Sequence, residues 1–310
     1  MRKKLLVFAD PGIDDSLAII YALMNPNLEI VGIVTSYGNV SKSQATANAY
    51  FLLQLAKQTH IPIIPGASRP VQQDELTFYP EIHGANGIGP ISPPEDMKYS
   101  ICPFDTIRQL VNKHAHNLII VDFGRSTSLA TAMILYHQEF MKVHSFYVMG
   151  GAFFVPGNVT ALAEANFHGD PASSNHILNN AHNLTITPLN VTNNAILTPD
   201  MVEYLVKEAD SPFEFLLTPI FDYYYQAYQK FAPGIEGAPI HDLLTVMLVD
   251  DPTIADYIFY DAKVIDGTIE AKGHSYIDVR PTSQSGKTRI AIKLNYDQFV
   301  ENFFRVMLQR

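Results

Sequence analysis

Short apolar runs rich in β-branched residues alternate with helix-period stretches along the first two thirds of the chain. LLVFA is followed by DDSLAIIYALM, EIVGIV by SQATANAYFLLQLA, and IPIIP closes this first set. A strand-like run feeding a helical pattern, repeated, predicts a parallel sheet with crossover helices. The alternation resumes with FDTIRQLVNKH, NLIIVDFG, STSLATAMILYH, SFYVMGGAFF, PASSNHILNNA and LTITPLN, so a continuous sheet is expected through roughly the first 190 residues. From Thr198 onward the pattern turns helical, with SPFEFLLTPIFDYYYQAYQKF as its longest element. YIFYDAKVI, SYIDVR and TRIAIKLN then read as strands joined by glycine-containing turns, an antiparallel addition, and YDQFVENFFRVMLQ as a closing amphipathic helix. No linker, charge block or repeat interrupts residues 1–310, which predicts one domain. The expected fold is α/β: an open, mostly parallel, Rossmann-like sheet flanked by helices, with a small antiparallel addition near the C-terminus.

Composition narrows the classes of function. Asp and Glu outnumber Lys and Arg by 31 to 21, giving a net charge of -10, and the basic residues are scattered. Nucleic acid is therefore not an expected partner. The single cysteine, Cys102, cannot form an internal disulfide, and no Cys/His spacing suits zinc, which fits a reducing cytoplasm. The apolar run at residues 5–9 is too short for a signal-peptide core, and nowhere do enough apolar residues run together to span a membrane. A cytoplasmic protein without a membrane partner is expected.

In open α/β sheets, ligands bind at the loops that follow the carboxyl ends of the strands. The first such loop, ADPGIDD, crowds Asp10, Asp14 and Asp15 into six residues. Asp14 and Asp15 also suit a helix N-terminus for dipole reasons alone, but Asp10 does not fall under that account. Crowded carboxylates repel unless a cation lies between them, and an all-oxygen set suits a hard ion such as Ca²⁺ or Mg²⁺. Far downstream, His241 and Asp242 open a second apolar helical run, where an N-cap and a satisfied loop histidine are the structural alternative. Asn39, Asn158, Glu164 and Asn166 lie in glycine-rich loops. Their amides and carboxylate could pair with vicinal hydroxyls, or simply serve turn geometry. Residues 72–100 carry few helix or strand signals and look like a mobile flap bearing His83.

Taken together, these motifs resemble those of the inosine-uridine type nucleoside hydrolases, the calcium-dependent N-ribohydrolases. ADPGIDD resembles the family's DxDPGxDD start, and SYGNV, HGANGIGP, MGGAFFVPGNVT, AEANFHGDP, APIHD and KGHSYIDVR follow in family order. The resemblance implies hydrolysis of ribonucleosides to ribose and free base, with Ca²⁺ as the cofactor and a homodimer or homotetramer as the assembly. It implies that Asp10, Asp15, Asp242 and the Thr127 carbonyl ligate the cation. Asp14, Asn39, Asn158, Glu164 and Asn166 would grip the ribose. Asp10 would take a proton from the attacking water, and His241, as an imidazolium, would assist the leaving base; general acid-base steps of this kind contribute ~10²–10⁴ in rate. The aromatic helix FDYYYQAYQKF, with Tyr223, Tyr224, Tyr225 and Tyr228, could close over the base, Tyr225 and Tyr228 being the expected contacts and core packing the alternative for each, and His83 could approach the ligand as the flap closes. The family's purine-specific members clamp the base between tryptophans, and this chain has none, which implies pyrimidine-accepting or broad specificity.

Three departures stand out. Phe8 occupies the first acidic position of the family's start, Ser128 replaces an asparagine, and Arg125 stands where the family's turn is apolar, so its side chain is expected to point away from a cation. Two other classes compete. A haloacid-dehalogenase-like phosphatase also places aspartates after a first strand, but needs an acid two residues after the first, where this chain has Gly12. The other is a nucleoside- or calcium-binding protein on the same scaffold without turnover.

Overall fold

The computed structural model describes residues 2–72, 76–267, 270–283 and 286–308. Its strands are β1 (Lys3–Ala9), β2 (Leu28–Thr35), β3 (Ile63–Pro65), β4 (Leu118–Asp122), β5 (Ser145–Met149), β6 (Leu184–Thr187), β7 (Ile196–Leu197), β8 (Ala238–Pro239), β9 (Ala255–Phe259), β10 (Ala262–Val264), β11 (Ser275–Ile277) and β12 (Arg289–Leu294). Eight of them form the central sheet in the order β3-β2-β1-β4-β5-β6-β12-β9. All neighbours are parallel except β12 and β9. β10 with β11 and β7 with β8 form two small antiparallel pairs.

Parallel strands covered on both faces read as continuous apolar runs, which is why β4, β5 and β6 are buried at every position. Successive side chains serve opposite cores: Leu5, Val7 and Ala9 join one, Leu6 and Phe8 the other. Helices Ile13–Met24, Glu214–Phe231, His241–Asp250 and Tyr296–Met307 contribute to the first core. Thr106–His114, Thr127–Leu135 and Pro171–Asn180 contribute to the second. Among the described residues, no helix is long and apolar enough to cross a membrane.

The C-terminal strands correct the expectation drawn from the sequence. The central sheet does not end near residue 190, because β12 pairs parallel with β6 and only β9 adds in antiparallel fashion. Ile290 and Ala291, both fully buried, extend the two cores under β12, and β6 is spared an unpaired edge. YIFYDAKVI is not one strand: it divides at Tyr260 and Asp261 into β9 and β10, which belong to different sheets.

Strand order reverses between β1 and β4. β2 and β3 lie to one side of β1, while β4, β5 and β6 lie to the other, so the crevice beyond their carboxyl ends is the topological switch point. Helices Ile13–Met24 and His241–Asp250 pack together and bring both their N-termini to this crevice.

Candidate active site

Asp15 is consumed by its own loop. Its Oδ1 accepts the Asp10 N–H at 3.1 Å, and its Oδ2 accepts the Gly12 N–H at 3.0 Å and the Asn39 amide at 2.8 Å. Asp10 Oδ2 accepts the Asn39 backbone N–H at 2.6 Å. The approach is close enough that a β-carbon at Gly38 would overlap the Asp10 carboxylate, so the glycine of SYGN is required by contact. Two oxygens remain: Asp10 Oδ1 and Asp14 Oδ1 are buried without a hydrogen-bond partner. Asp14, Asp15 and Asp242 offer carboxylate oxygens that all lie within 4.8 Å of one another. Burial raises the pKa of all four, Asp14 to about 6 and Asp15 to about 7, and mutual repulsion adds to it. An all-oxygen set of buried, mutually repelling carboxylates with two orphaned acceptors fits a hard divalent cation.

This set differs from the expected one. Asp14, assigned to the ribose on sequence, joins Asp15 and Asp242, while Asp10 is a close electrostatic neighbour of Asp15 and Asp242. Thr127 begins helix Thr127–Leu135. Its hydroxyl donates to Asp170 at 2.6 Å, and its carbonyl accepts the Thr131 hydroxyl at 2.8 Å.

Above the carboxylates lies a cavity of about 370 Å³, within the ordinary size of small-molecule sites. Asn39, Asn158, Glu164 and Asn166 supply polar groups to its lining. Glu164 caps helix Ala165–Gly169, its two oxygens accepting the N–H groups of Gly151, Asn166 and Phe167. The Asn158 side-chain Oδ1 accepts the Ala165 N–H, and the Asn166 side-chain amide donates to the main-chain carbonyls of Phe123 and Met149.

Tyr224, Tyr228 and Phe231 supply aromatic rings to the lining, together with His83 and His241. The spacing i, i+4, i+7 sets these three aromatics on one helix face. Tyr225 lies about 100° away around the same helix, with its hydroxyl on the Ile235 carbonyl and its ring stacked on Phe221. Tyr225, expected near the base, thus does not line the cavity, whereas Tyr224 does.

His241 bridges Tyr228 and Thr192. Its Nε2 lies 2.8 Å from the Tyr228 hydroxyl, and its Nδ1 lies 2.8 Å from Thr192 Oγ1. Burial lowers its pKa to about 4, so it rests as a neutral imidazole instead of the expected imidazolium. His83 is already in the cavity. Its Nδ1 accepts the Ile13 N–H at 3.1 Å, which leaves the proton on Nε2, and burial lowers its pKa to about 3. The flap carrying it is docked, with the Tyr223 hydroxyl on the Pro80 carbonyl and the Tyr79 N–H on the Asn39 carbonyl. Gln73, Asp74 and Glu75 of that flap lie outside the described residues.

Arg125 does not point away. It is 3% exposed, and its Nη1 donates to Asn166 Oδ1 at 3.4 Å. Phe8 packs in the second core, level with Asp122 on the neighbouring strand.

A sheet of this topology, with a carboxylate floor and a polar, aromatic-walled cavity at its switch point, defines an α/β scaffold with a pocket of small-molecule size. Residues 5–301 match the family model described as inosine-uridine preferring nucleoside hydrolase, and the chain belongs to that family. It is 32% identical over 258 residues to uridine nucleosidase 1 of Arabidopsis thaliana, covering 83% of this chain and 76% of the relative. It is 31% identical over 308 residues to the inosine-uridine preferring nucleoside hydrolase of Crithidia fasciculata, covering 96% and 95%. The solved purine-preferring ribonucleoside hydrolase from Gardnerella vaginalis superposes with a TM-score of 0.91 at 29% identity, covering 99% of this chain and 98% of that one. The chain is accordingly a hydrolase acting on the N-glycosyl bonds of ribonucleosides.

Proposed function

We propose that residues 1–310 act as one catalytic unit that hydrolyses the N-glycosidic bond of pyrimidine nucleosides, or of a broad range of nucleosides, with one Ca²⁺ held by Asp10, Asp15 and Asp242. The observation that carries this reading is the pair of orphaned oxygens, Asp10 Oδ1 and Asp14 Oδ1, beside the buried carboxylate group. Asp14 stands ready as a fourth carboxylate or as a ribose contact, and Thr127 keeps its place as a candidate carbonyl donor. When bound, the cation supplies Lewis acidity and a fixed anchor for hydroxyl groups.

Asp10 Oδ1 is the free acceptor and serves as the base that takes the proton of the attacking water. Asn39, Asn158, Glu164 and Asn166 orient the ribose, converting encounter into geometry. On the leaving side, His241 works as a neutral imidazole between Thr192 and Tyr228. With the Thr192 hydroxyl donating to Nδ1 and the Nε2–H donating to the Tyr228 oxygen, the Tyr228 hydroxyl proton is free to hydrogen-bond the departing base and stabilise its developing negative charge, with no proton drawn from Thr192. Tyr224, Phe231 and Ile82 wall off water around the base. Release of reducing sugar from uridine and inosine, lost on chelation and restored by Ca²⁺, is the expected result. Turnover undiminished by chelation would overturn the cation assignment.

A homodimer or homotetramer is part of the same reading. Ile134, Leu135 and Met141 remain more than half exposed on consecutive helical segments, an apolar surface suited to a second copy. Light scattering that returns a monomer's mass of 34.6 kDa would contradict it.

A further inference from the structure

Arg125 is a buried cation at the edge of a buried anionic cluster, and its placement is built by several residues. Its stem lies across Gly169, where a β-carbon would overlap Arg125 Cδ, so a residue without a side chain opens its path. Its guanidinium sits 5.4 Å over the Tyr79 ring and donates to Asn166, both of them residues that line the cavity. The loop behind it is pinned. Asp122 accepts the Gly124 N–H at 3.2 Å and the Ser126 hydroxyl at 2.7 Å, and Ser126 is held at a φ of 63°, a region costly for a residue with a β-carbon. Gly124 in turn lies against Asp10, where a β-carbon would come within 2.7 Å of Oδ1.

The Arg125 guanidinium donates to a neutral amide, so its charge acts on the carboxylates through the field. Asp10 is the strongest opposite charge facing it, followed by Glu164, and His83 and His168 face it as well.

We propose that Arg125 is a resident cation of the carboxylate floor, placed to relieve its repulsion when no metal is bound and thereby to weaken divalent-cation binding. The proposal rests on the reading of that floor as a cation site. A fixed positive charge inside a water-poor site repels an incoming divalent ion far more than it would at the surface, and is removed only with the side chain.

Calorimetric titration of the chelator-treated full chain with Ca²⁺, and separately with Mn²⁺, tests it. Arg125→Met should bind at least ~10-fold more tightly than the parent and lose more thermal stability on chelation. Arg125→Lys, which keeps the charge, should stay near the parent. Gly169→Ala, which displaces the arginine stem without touching the floor, should shift affinity in the same direction as Arg125→Met. If Arg125→Met does not survive chelation, competition between the Ca²⁺-loaded variant and a chelator of known affinity reads the same order. Parent affinity unchanged or weakened in Arg125→Met overturns the proposal alone. Absence of Ca²⁺ and Mn²⁺ binding in both parent and variant overturns the cation-site reading with it.

Discussion

The floor and the aromatic wall of the cavity are built by different means. The floor carboxylates leave the end of β1 and the first turns of two helices, where backbone direction alone aims them, and Asp15 and Asp10 are further fixed by main-chain N–H groups. The wall is a set of side chains from elements outside the central sheet: one face of helix Glu214–Phe231, the four-residue helix Pro80–His83 and the loop carrying Val159. Side-chain hydrogen bonds, such as Tyr223 to Pro80 and Tyr228 to His241, tie the wall together. The wall can therefore vary while the carboxylate floor stays put. That division accords with uridine- and purine-preferring relatives of comparable similarity.

Damage to the floor should cost most. Asp10→Asn removes the free acceptor and a cation ligand together, so kcat for uridine should fall by ~10² or more with Ca²⁺ saturating and the fold retained by circular dichroism. Near-normal turnover would move the base elsewhere. Next comes the junction of floor and wall. His241→Ala should lower kcat and kcat/KM together, by unequal factors for inosine and uridine, because the two bases differ in where they can accept a proton. Equal, small losses would make His241 a mere neighbour of Asp242.

A third effect separates the two regions by pH. Asp14 at about 6, and Asp15 and Asp122 at about 7, are raised in the folded state by burial above their ordinary 3.8. The stability they contribute is complete below pH 3.8 and is lost as pH rises through about 7. His83 and His241, lowered to about 3 and about 4 from 6.5, act in the opposite sense, and their contribution is lost as pH falls from 6.5 through those values. Above pH 6.5 the carboxylates thus dominate these opposing trends, and the Tm of chelated protein should drop by a few degrees toward pH 8, with Ca²⁺ restoring it. A chelated Tm that is flat over this range would show that the floor is not strained by its own charge. The smallest change should come from Tyr225→Phe: kcat/KM within about twofold, with about 1 kcal/mol of stability lost with the bond to Ile235.

The sequence exposed the floor more fully than the wall for a related reason. ADPGIDD and IHDLL concentrate their chemistry at element starts, where a motif and its geometry coincide. Choosing between Tyr224 and Tyr225 required the rotational phase of the helix against its neighbours, which four tyrosines in six positions do not disclose. The inward path of Arg125 depends on Gly169, 44 positions downstream, and on the Asp122 carboxylate pinning the loop, neither of which its local sequence displays. Among the strands, the buried parallel runs were evident from their composition. TRIAIKLN alternates like an edge strand, and only its pairing with β6 makes it part of the central sheet.

Helix His241–Asp250 has a consequence for the order in which the molecule can be made. It is buried along nearly its whole length against helix Ile13–Met24, β5 and helix Tyr296–Met307, and it brings Asp242 to within ligand distance of a carboxylate 227 positions earlier. A nascent chain emerging from the ribosome can pair β1 to β6 long before it can cover the apolar face that this helix and Tyr296–Met307 later occupy. Closure of so long a loop is slow, and the exposed sheet face is prone to association in the meantime. The reaction centre and the final seal of the core are thus completed by the same late-arriving segment, so a chain truncated before it would be inactive and insoluble for one shared cause.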